Sequence, residues 1–176
     1  MKKLLWLDME MTGLDVETEV IIEVAAIVTD LNFKELDSFE TVVKQPSHYL
    51  EHMDDWNREH HTKSGLLKKI PQGMDPEFTE VKLIDLIKKH WPDPKDKPIL
   101  AGNSIAQDRL FIDRYFLQLS KLLHYRLMDV SSWKIIFANM YGFTYSKTNQ
   151  HRALDDIRES IQEMQAYLQY INLPKK

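Results

Sequence analysis

The chain opens with an apolar run broken only by acids, Leu4-Leu5-Trp6-Leu7-Asp8-Met9-Glu10-Met11, which reads as a buried strand closed by the turn chemistry of Thr12-Gly13. Residues 20–29 are dense in β-branched side chains and predict a second strand. Asp30-Leu31-Asn32 then suggests a turn into a third strand over 39–44. Links this short pair strands antiparallel, because parallel neighbours need a long crossover. A meander is therefore expected first.

From Ser47 the period changes. Leu50, Met53 and Trp56 recur at helical spacing. Asp75-Pro76 looks like an N-cap followed by proline at the first helical position, and Val81, Ile84, Ile87 and Trp91 carry that helix to Pro92. The proline-rich stretch 92–98 is a surface loop rather than a domain boundary, since neither side is long enough to stand alone. Residues 99–102 predict a short buried strand, with Asn103 or Ser104 capping a helix over 105–119. Another strand is expected at 125–130, then a helix through Ile135 to Met140. A last helix from His151 to about Tyr170 carries the stripe Leu154, Ile157, Ile161, Met164 and Leu168. A meander followed by alternating strands and helices gives an α/β fold with a mixed sheet flanked by helices.

Composition narrows the function classes. The 176 residues fit one domain over 1–176, 43% hydrophobic and 28% charged, as in an ordinary globular protein. A formal charge of −4 argues against a general binder of long nucleic acid, which shows a basic face. With no cysteine, a disulfide scaffold, a thiolate metal site and a cysteine nucleophile are excluded, and a reducing compartment is expected. The apolar start ends too soon for a signal peptide, and no run is long enough to span a membrane. A cytoplasmic protein with no membrane partner is the expectation.

The chemistry gathers in a few places. Asp8 and Glu10, two apart on a strand, share one face. Burying such a pair is costly unless cations neutralise it, and hard divalent ions prefer oxygen ligands. Acid-x-acid pairs are common, about four by chance with this many acids, and most lie on solvated faces. The apolar setting singles this one out. Asp108 lies in the first turn of a predicted helix, where an acid complements the helix dipole. That turn also follows a buried strand, where sites of α/β sheets gather. In His151-Arg152-Ala153-Leu154-Asp155-Asp156, helical spacing pairs His151 with Asp155, whereas Asp156 lies nearer the buried face beside Ile157. The pattern leaves both aspartates open.

Together, Asp8-x-Glu10 in a first strand, Asp108 behind Gly102-Asn103-Ser104, and His151-x4-Asp156 in a last helix resemble the motifs of the DEDDh exonuclease family, whose fold is similar to ribonuclease H. More narrowly, Trp6-Leu7-Asp8-Met9-Glu10-Met11-Thr12-Gly13-Leu14, Met53-Asp54-Asp55-Trp56-Asn57, Gly102-Asn103-Ser104-Ile105, His124-Tyr125-Arg126 and Ala153-Leu154-Asp155-Asp156-Ile157-Arg158-Glu159-Ser160 resemble the oligoribonuclease family. These blocks span nearly the whole chain in that family's order.

The resemblance implies that Asp8, Glu10, Asp108 and Asp156 hold two divalent ions, Mg²⁺ or Mn²⁺, with His151 as general base. It implies Leu14 as a wedge beside the 3′ base, and Trp56 and His61 lining the pocket. Ser104, Gln107, Arg126 and Ser131 match positions that hold phosphate or 5′-end groups. Tyr125 matches an aromatic lent by the second subunit of a homodimer. Neighbours on a strand face opposite sides, so Tyr125 and Arg126 are not expected to serve one substrate from one chain. The implied activity is 3′-to-5′ hydrolysis of short single-stranded RNA, including 5′-phosphorylated dinucleotides, to 5′-mononucleotides. A substrate of roughly two to five nucleotides needs few phosphate contacts, which suits a chain without a basic track. The alternatives are a DNA-trimming exonuclease with the same acids, an inactive nucleotide-binding module, and a plain metal-binding structural domain.

Overall fold

The computed structural model describes residues 2–146 and 152–171. Among these, β1 (Lys3–Met11), β2 (Ile21–Asp30) and β3 (Glu35–Val42) form the expected antiparallel meander. β4 (Leu100–Gly102) and β5 (Leu127–Asp129) add in parallel on the other side of β1, giving the order β3-β2-β1-β4-β5. On one face lie α3 (Pro76–His90), α4 (Ile105–Tyr115) and α5 (Leu117–Leu122); on the other lie α6 (Val130–Tyr141) and α7 (Ala153–Gln169). The shorter α1 (Ser47–His52) and α2 (Asp55–Lys63) cover the start of β2, where Met53, Leu66 and Ile70 enclose Val20 and Ile22.

β1 is hydrogen-bonded on both sides and its alternation sorts the core. Leu5, Leu7 and Met9 pack with Leu83 and Phe111 beneath α3 and α4. Leu4 and Trp6 pack with Phe137, Ile157 and Tyr167 from α6 and α7. The buried Trp6 indole N–H donates to Thr29 Oγ1 at 3.0 Å, so no polar group is stranded there. Continued by two and by four residues, the Leu4–Trp6 face reaches Asp8 and Glu10. A register shift between Glu10 and Met11 ends regular pairing with β2 at that point.

Several expected boundaries move, each for a local reason. β3 starts earlier than 39–44 because Asp30 Oδ1 accepts from the Asn32 and Lys34 amides, closing a tighter turn. This edge strand is mostly polar, so its apolar pattern is weak. The helix expected through Leu50, Met53 and Trp56 is two helices, since Met53 is extended at ψ 135° and Asp54 caps α2 through the Asn57 amide at 2.8 Å. The helix over 105–119 breaks at Phe116, and α5 begins under a cap from α3: Glu80 Oε1 accepts from the Gln118 and Leu119 amides. Tyr125 and Arg126 precede β5 rather than belonging to it. The alternation argument for sending them to different substrates therefore does not apply. The Arg126 guanidinium instead lies 5.4 Å from the Tyr125 ring centroid.

β4 approaches β1 so closely that a Cβ on Gly102 would lie 2.8 Å from the Leu7 carbonyl oxygen. That oxygen belongs to backbone at the centre of the sheet, which cannot retreat without spoiling the ladder. Gly102→Ala should therefore destabilise the protein by ~1–3 kcal/mol in chemical denaturation. A stability equal to wild type would show that the contact relaxes freely.

Candidate active site

Asp8 and Glu10 extend the face of β1 that looks toward α7, and the first turn of α7 supplies Asp156. Asp8, Glu10 and Asp156 each offer a carboxylate oxygen, and these atoms lie within 4.8 Å of one another. Asp155 points elsewhere and pairs with Arg158 at 3.7 Å. Geometry thus separates the two aspartates that helical spacing left open. His151 lies outside the described residues.

Asp108 stands outside the 4.8 Å group, buried in the first turn of α4 and near enough to Glu10 for their charges to interact. Burial raises its pKa, and the Glu10 and Asp129 carboxylates add to the rise. Hydrogen bonds from its own amide and the Met9 amide oppose this. Glu10 is pushed up to about 7, chiefly by burial, then by the Asp156 and Glu23 carboxylates, while Arg152 pulls it down. An all-oxygen donor set this crowded has the chemistry of a site for hard divalent cations. The residues present fit such ions.

Two residues that sequence reasoning passed over complete this centre. Glu23 on β2 lies opposite Glu10 in the ladder and is buried. Its Oε1 accepts from Arg152 Nη2 at 2.8 Å and Nε at 3.1 Å. A further network ties α7 to the turn before α4. Tyr167 Oη donates to Glu163 at 2.6 Å, Asn103 Nδ2 donates to Ser160 Oγ at 2.7 Å and to Glu163 at 3.2 Å, and Ser160 Oγ donates to the Asp156 carbonyl at 2.8 Å. The hint in the sequence was a glutamate within an otherwise apolar β2; Glu163 lies off the apolar stripe of α7, and no spacing signal marked it.

The remaining candidates fall into two groups. Leu14, Trp56 and Tyr125 are large apolar side chains 75%, 62% and 78% exposed, so they are available to a ligand. Trp56 stacks on His60 with centroids 3.8 Å apart, and Tyr125 stacks on His124 at 4.5 Å. His61, by contrast, is buried, with Nε2 3.0 Å from the Met11 carbonyl. A carbonyl only accepts, so Nε2 carries the proton and α2 is tied to the end of β1. Gln107 donates to the Leu14 carbonyl at 2.7 Å and holds that loop. Ser104 and Ser131 meet at the mouth of the sheet. The Ser104 amide donates to Ser131 Oγ at 2.9 Å and to Asp129 Oδ1 at 3.0 Å. Arg126 is exposed.

The sequence profile of the RNase_T exonuclease family matches residues 5–164. The chain belongs to that exonuclease family. Within it, this exonuclease is 41% identical over 172 residues to the human mitochondrial oligoribonuclease, which covers 94% of this chain and 72% of that one. It is 40% identical over 171 residues to the oligoribonuclease of Francisella tularensis, covering 94% of each chain. Against the oligoribonuclease of Arabidopsis thaliana it is 41% identical over 170 residues, or 93% of this chain and 76% of that one. The fold is shared with E. coli exonuclease I solved in complex with a dT13 oligonucleotide, at TM-score 0.70 and 13% identity, covering 97% of this chain and 41% of that chain. Exonuclease I from Methylocaldum szegediense gives 0.72 at 12%, with coverage of 97% and 41%. The chain thus spans about two fifths of those structures, and the likeness is one of fold. These exonucleases carry the same ribonuclease H-like mixed sheet. Among the described residues, no helix is long and apolar enough to cross a membrane.

The raised pKa of Glu10 makes stability depend on pH. The folded state holds this proton more tightly than the unfolded chain, whose carboxyl stays near 4.5. Its favourable contribution is therefore present below that value and lost as pH rises through about 7, at a cost of about 3 kcal/mol when Glu10 is fully ionised. In chelator, the melting temperature should fall between about pH 5 and 8, and Mg²⁺ or Mn²⁺ should restore more at the high end. Glu10→Gln should make the curve shallower, with the slope that remains coming from Asp108, whose pKa is also raised. A metal-free melting temperature that rises over this range would contradict the picture.

Proposed function

We propose that this exonuclease is a 3′-to-5′ exoribonuclease acting on short RNA, a hydrolase of the oligoribonuclease type working from a single domain over residues 1–176. The grouping of Asp8, Glu10 and Asp156 within 4.8 Å carries the proposal, alongside 40–41% identity to oligoribonucleases over nearly the whole chain. In this reading Asp8, Glu10, Asp108 and Asp156 hold two divalent cations, Mg²⁺ or Mn²⁺. When bound, such ions neutralise charge, acidify a water and stabilise a departing oxygen.

The chain's own residues do the rest. A ring nitrogen of His151 accepts the proton of the attacking water as its oxygen bonds to phosphorus. The bond from phosphorus to the 3′ oxygen breaks, releasing a 5′-mononucleotide and an RNA shorter by one residue. Leu14 and Trp56, both on segments tied to the end of β1, are suited to stack on the terminal bases. Such stacking contributes ~1–3 kcal/mol per base without sequence preference. His61 and Gln107 act beneath them, fixing the end of β1 and the Leu14 loop. Ser104, Ser131 and Arg126 supply donors for phosphate, and the planar fork of Arg126 can meet two oxygens of a 5′-phosphate. A formal charge of −4 and the lack of a Lys/Arg-rich segment favour short substrates.

Tyr125 is exposed as a monomer would not need, and we propose a homodimer in which it reaches the partner's substrate. A cytoplasmic setting belongs to the same proposal, resting on the cysteine-free chain and the plain name of the bacterial relative, whereas the human one is named mitochondrial.

Purified protein should convert 5′-phosphorylated RNA of roughly two to seven nucleotides to 5′-mononucleotides with Mg²⁺ or Mn²⁺, and act more slowly on matched DNA, which lacks the 2′-hydroxyl. Faster turnover of DNA would favour the DNA-trimming alternative. Alanine at Asp8, Glu10, Asp108 or Asp156 should abolish turnover in a folded protein, while Asp155→Ala should remain active. His151→Ala should lower kcat by ~10²–10⁴ with little change in KM. Mixing inactive Asp8→Ala with inactive Tyr125→Ala, with subunit exchange, should recover one working site per mixed dimer. Proven exchange without recovery would remove the shared tyrosine.

A further inference from the structure

Among the described residues, α7 begins without a side-chain cap from its own N-cap position, Arg152. Yet the first helical amide must find an acceptor. Glu23 provides one from the neighbouring strand: its Oε2 lies 3.4 Å from the Ala153 amide, while Oε1 takes both Arg152 donors. The Glu23 side chain is 3% exposed and that of Arg152 31%. One carboxylate thus grips the side chain of Arg152 and the backbone beside it.

Two further facts make this grip relevant to the carboxylate group. Glu23 and Glu10 are direct partners across the β1–β2 ladder, where like charges repel, and Arg152 is the cation set against them. The Asp156 amide donates to the Arg152 carbonyl at 2.9 Å, one helical turn on. Arg152 therefore holds Glu23 with its side chain and Asp156 with its backbone, and it directly follows His151 in the chain. A largely buried ion pair contributes little net stability compared with an apolar pair of the same shape. Its value here lies in direction: two donors converging on one oxygen fix where the helix starts.

We infer that the Glu23–Arg152 ion pair is a positioning element that sets Asp156 against Asp8 and Glu10. This rests on the reading of those acids as a divalent-cation site. Neither residue touches substrate in this role.

The deciding measurement is Mn²⁺ binding to the intact protein by calorimetry, with melting curves to show that each variant is folded at the assay temperature. If Arg152 acted only through its charge, Arg152→Gln would tighten Mn²⁺ by removing a cation beside the acids. If it positions Asp156, Arg152→Gln and Glu23→Gln should both weaken Mn²⁺ by about 10–100-fold, the size expected when a partner that orients a ligand is lost. Arg152→Lys, which keeps the charge but offers one point of attachment, should weaken it as well, and serves if Arg152→Gln fails to fold. On a dinucleotide, the kcat of these variants at saturating Mn²⁺ should fall by up to about 10²-fold with KM little changed. Mn²⁺ affinity in folded Arg152→Gln or Arg152→Lys equal to or above wild type would overturn the proposal. A wild-type protein inactive on RNA would instead reject the exoribonuclease reading and leave the calorimetric comparison standing.

Discussion

Carboxylates that repel one another are held together at the end of β1, and the surrounding structure is what keeps them there. Asp8 and Glu10 cannot separate, because both are fixed on one face of a strand that β2 pairs through Glu10 and that β4 anchors at Leu5 and Trp6. Asp156 cannot swing away without unwinding the first turn of α7, whose amide ladder runs from Arg152. Asp108 is pinned by amides of α4 and β1. Burial first and the repulsion second appear as proton affinity: Glu10 is pushed up from 4.5 to about 7. A flexible scaffold would relieve such repulsion by moving, and a cation site would lose its shape with it.

The two layers of helices reach this point by different means. α4 enters from below through a tight turn in which Gly102 lets β4 press against β1 and Ser104 takes a left-handed φ of 50°. α7 enters from above and is held at its start by Glu23 and farther along by the Ser160, Glu163 and Asn103 network. Asn103 touches both arrangements, since its Oδ1 also accepts from Ser131 Oγ at 3.2 Å. The turn that offers Ser104 to solvent and the helix that offers Asp156 to the acids are thus parts of one hydrogen-bonded unit. Buried networks of this kind are worth having only when every member is satisfied.

What the sequence made legible follows from where its signal is strong. β1, β2 and α7 announce themselves because alternation or helical period coincides with deep burial, and the acids of β1 stand out against that apolar background. β3 was misplaced because an edge strand with polar residues is specified by its turn and its ladder, not by its own pattern. The breaks at Met53 and Phe116 depend on caps, one from Asp54 and one from the distant Glu80. Tyr125 and Arg126 escaped because the strand they adjoin is only three residues long. Geometry chose Asp156 over Asp155 through the direction of a helix whose start is set by Glu23, a residue 133 positions earlier in the chain. No spacing rule within 151–156 contains that information.

The same constraint bears on substrate length in the proposed reading. A polyanion must approach a cluster of anions on a chain whose formal charge is −4. Cations at the acids can offset this at one phosphate, and Ser104, Ser131 and Arg126 offer donors for a second. For each further phosphate the sequence offers no Lys/Arg-rich segment, so affinity that normally comes from counterion release is not supplied. Base stacking does not meet this difficulty, because Leu14 and Trp56 gain from the first bases that reach them and nothing more from a longer strand. Preference for short RNA therefore needs no barrier at the far end of the site. It follows from placing an acidic metal site on an acidic protein with stacking surfaces for only its nearest bases.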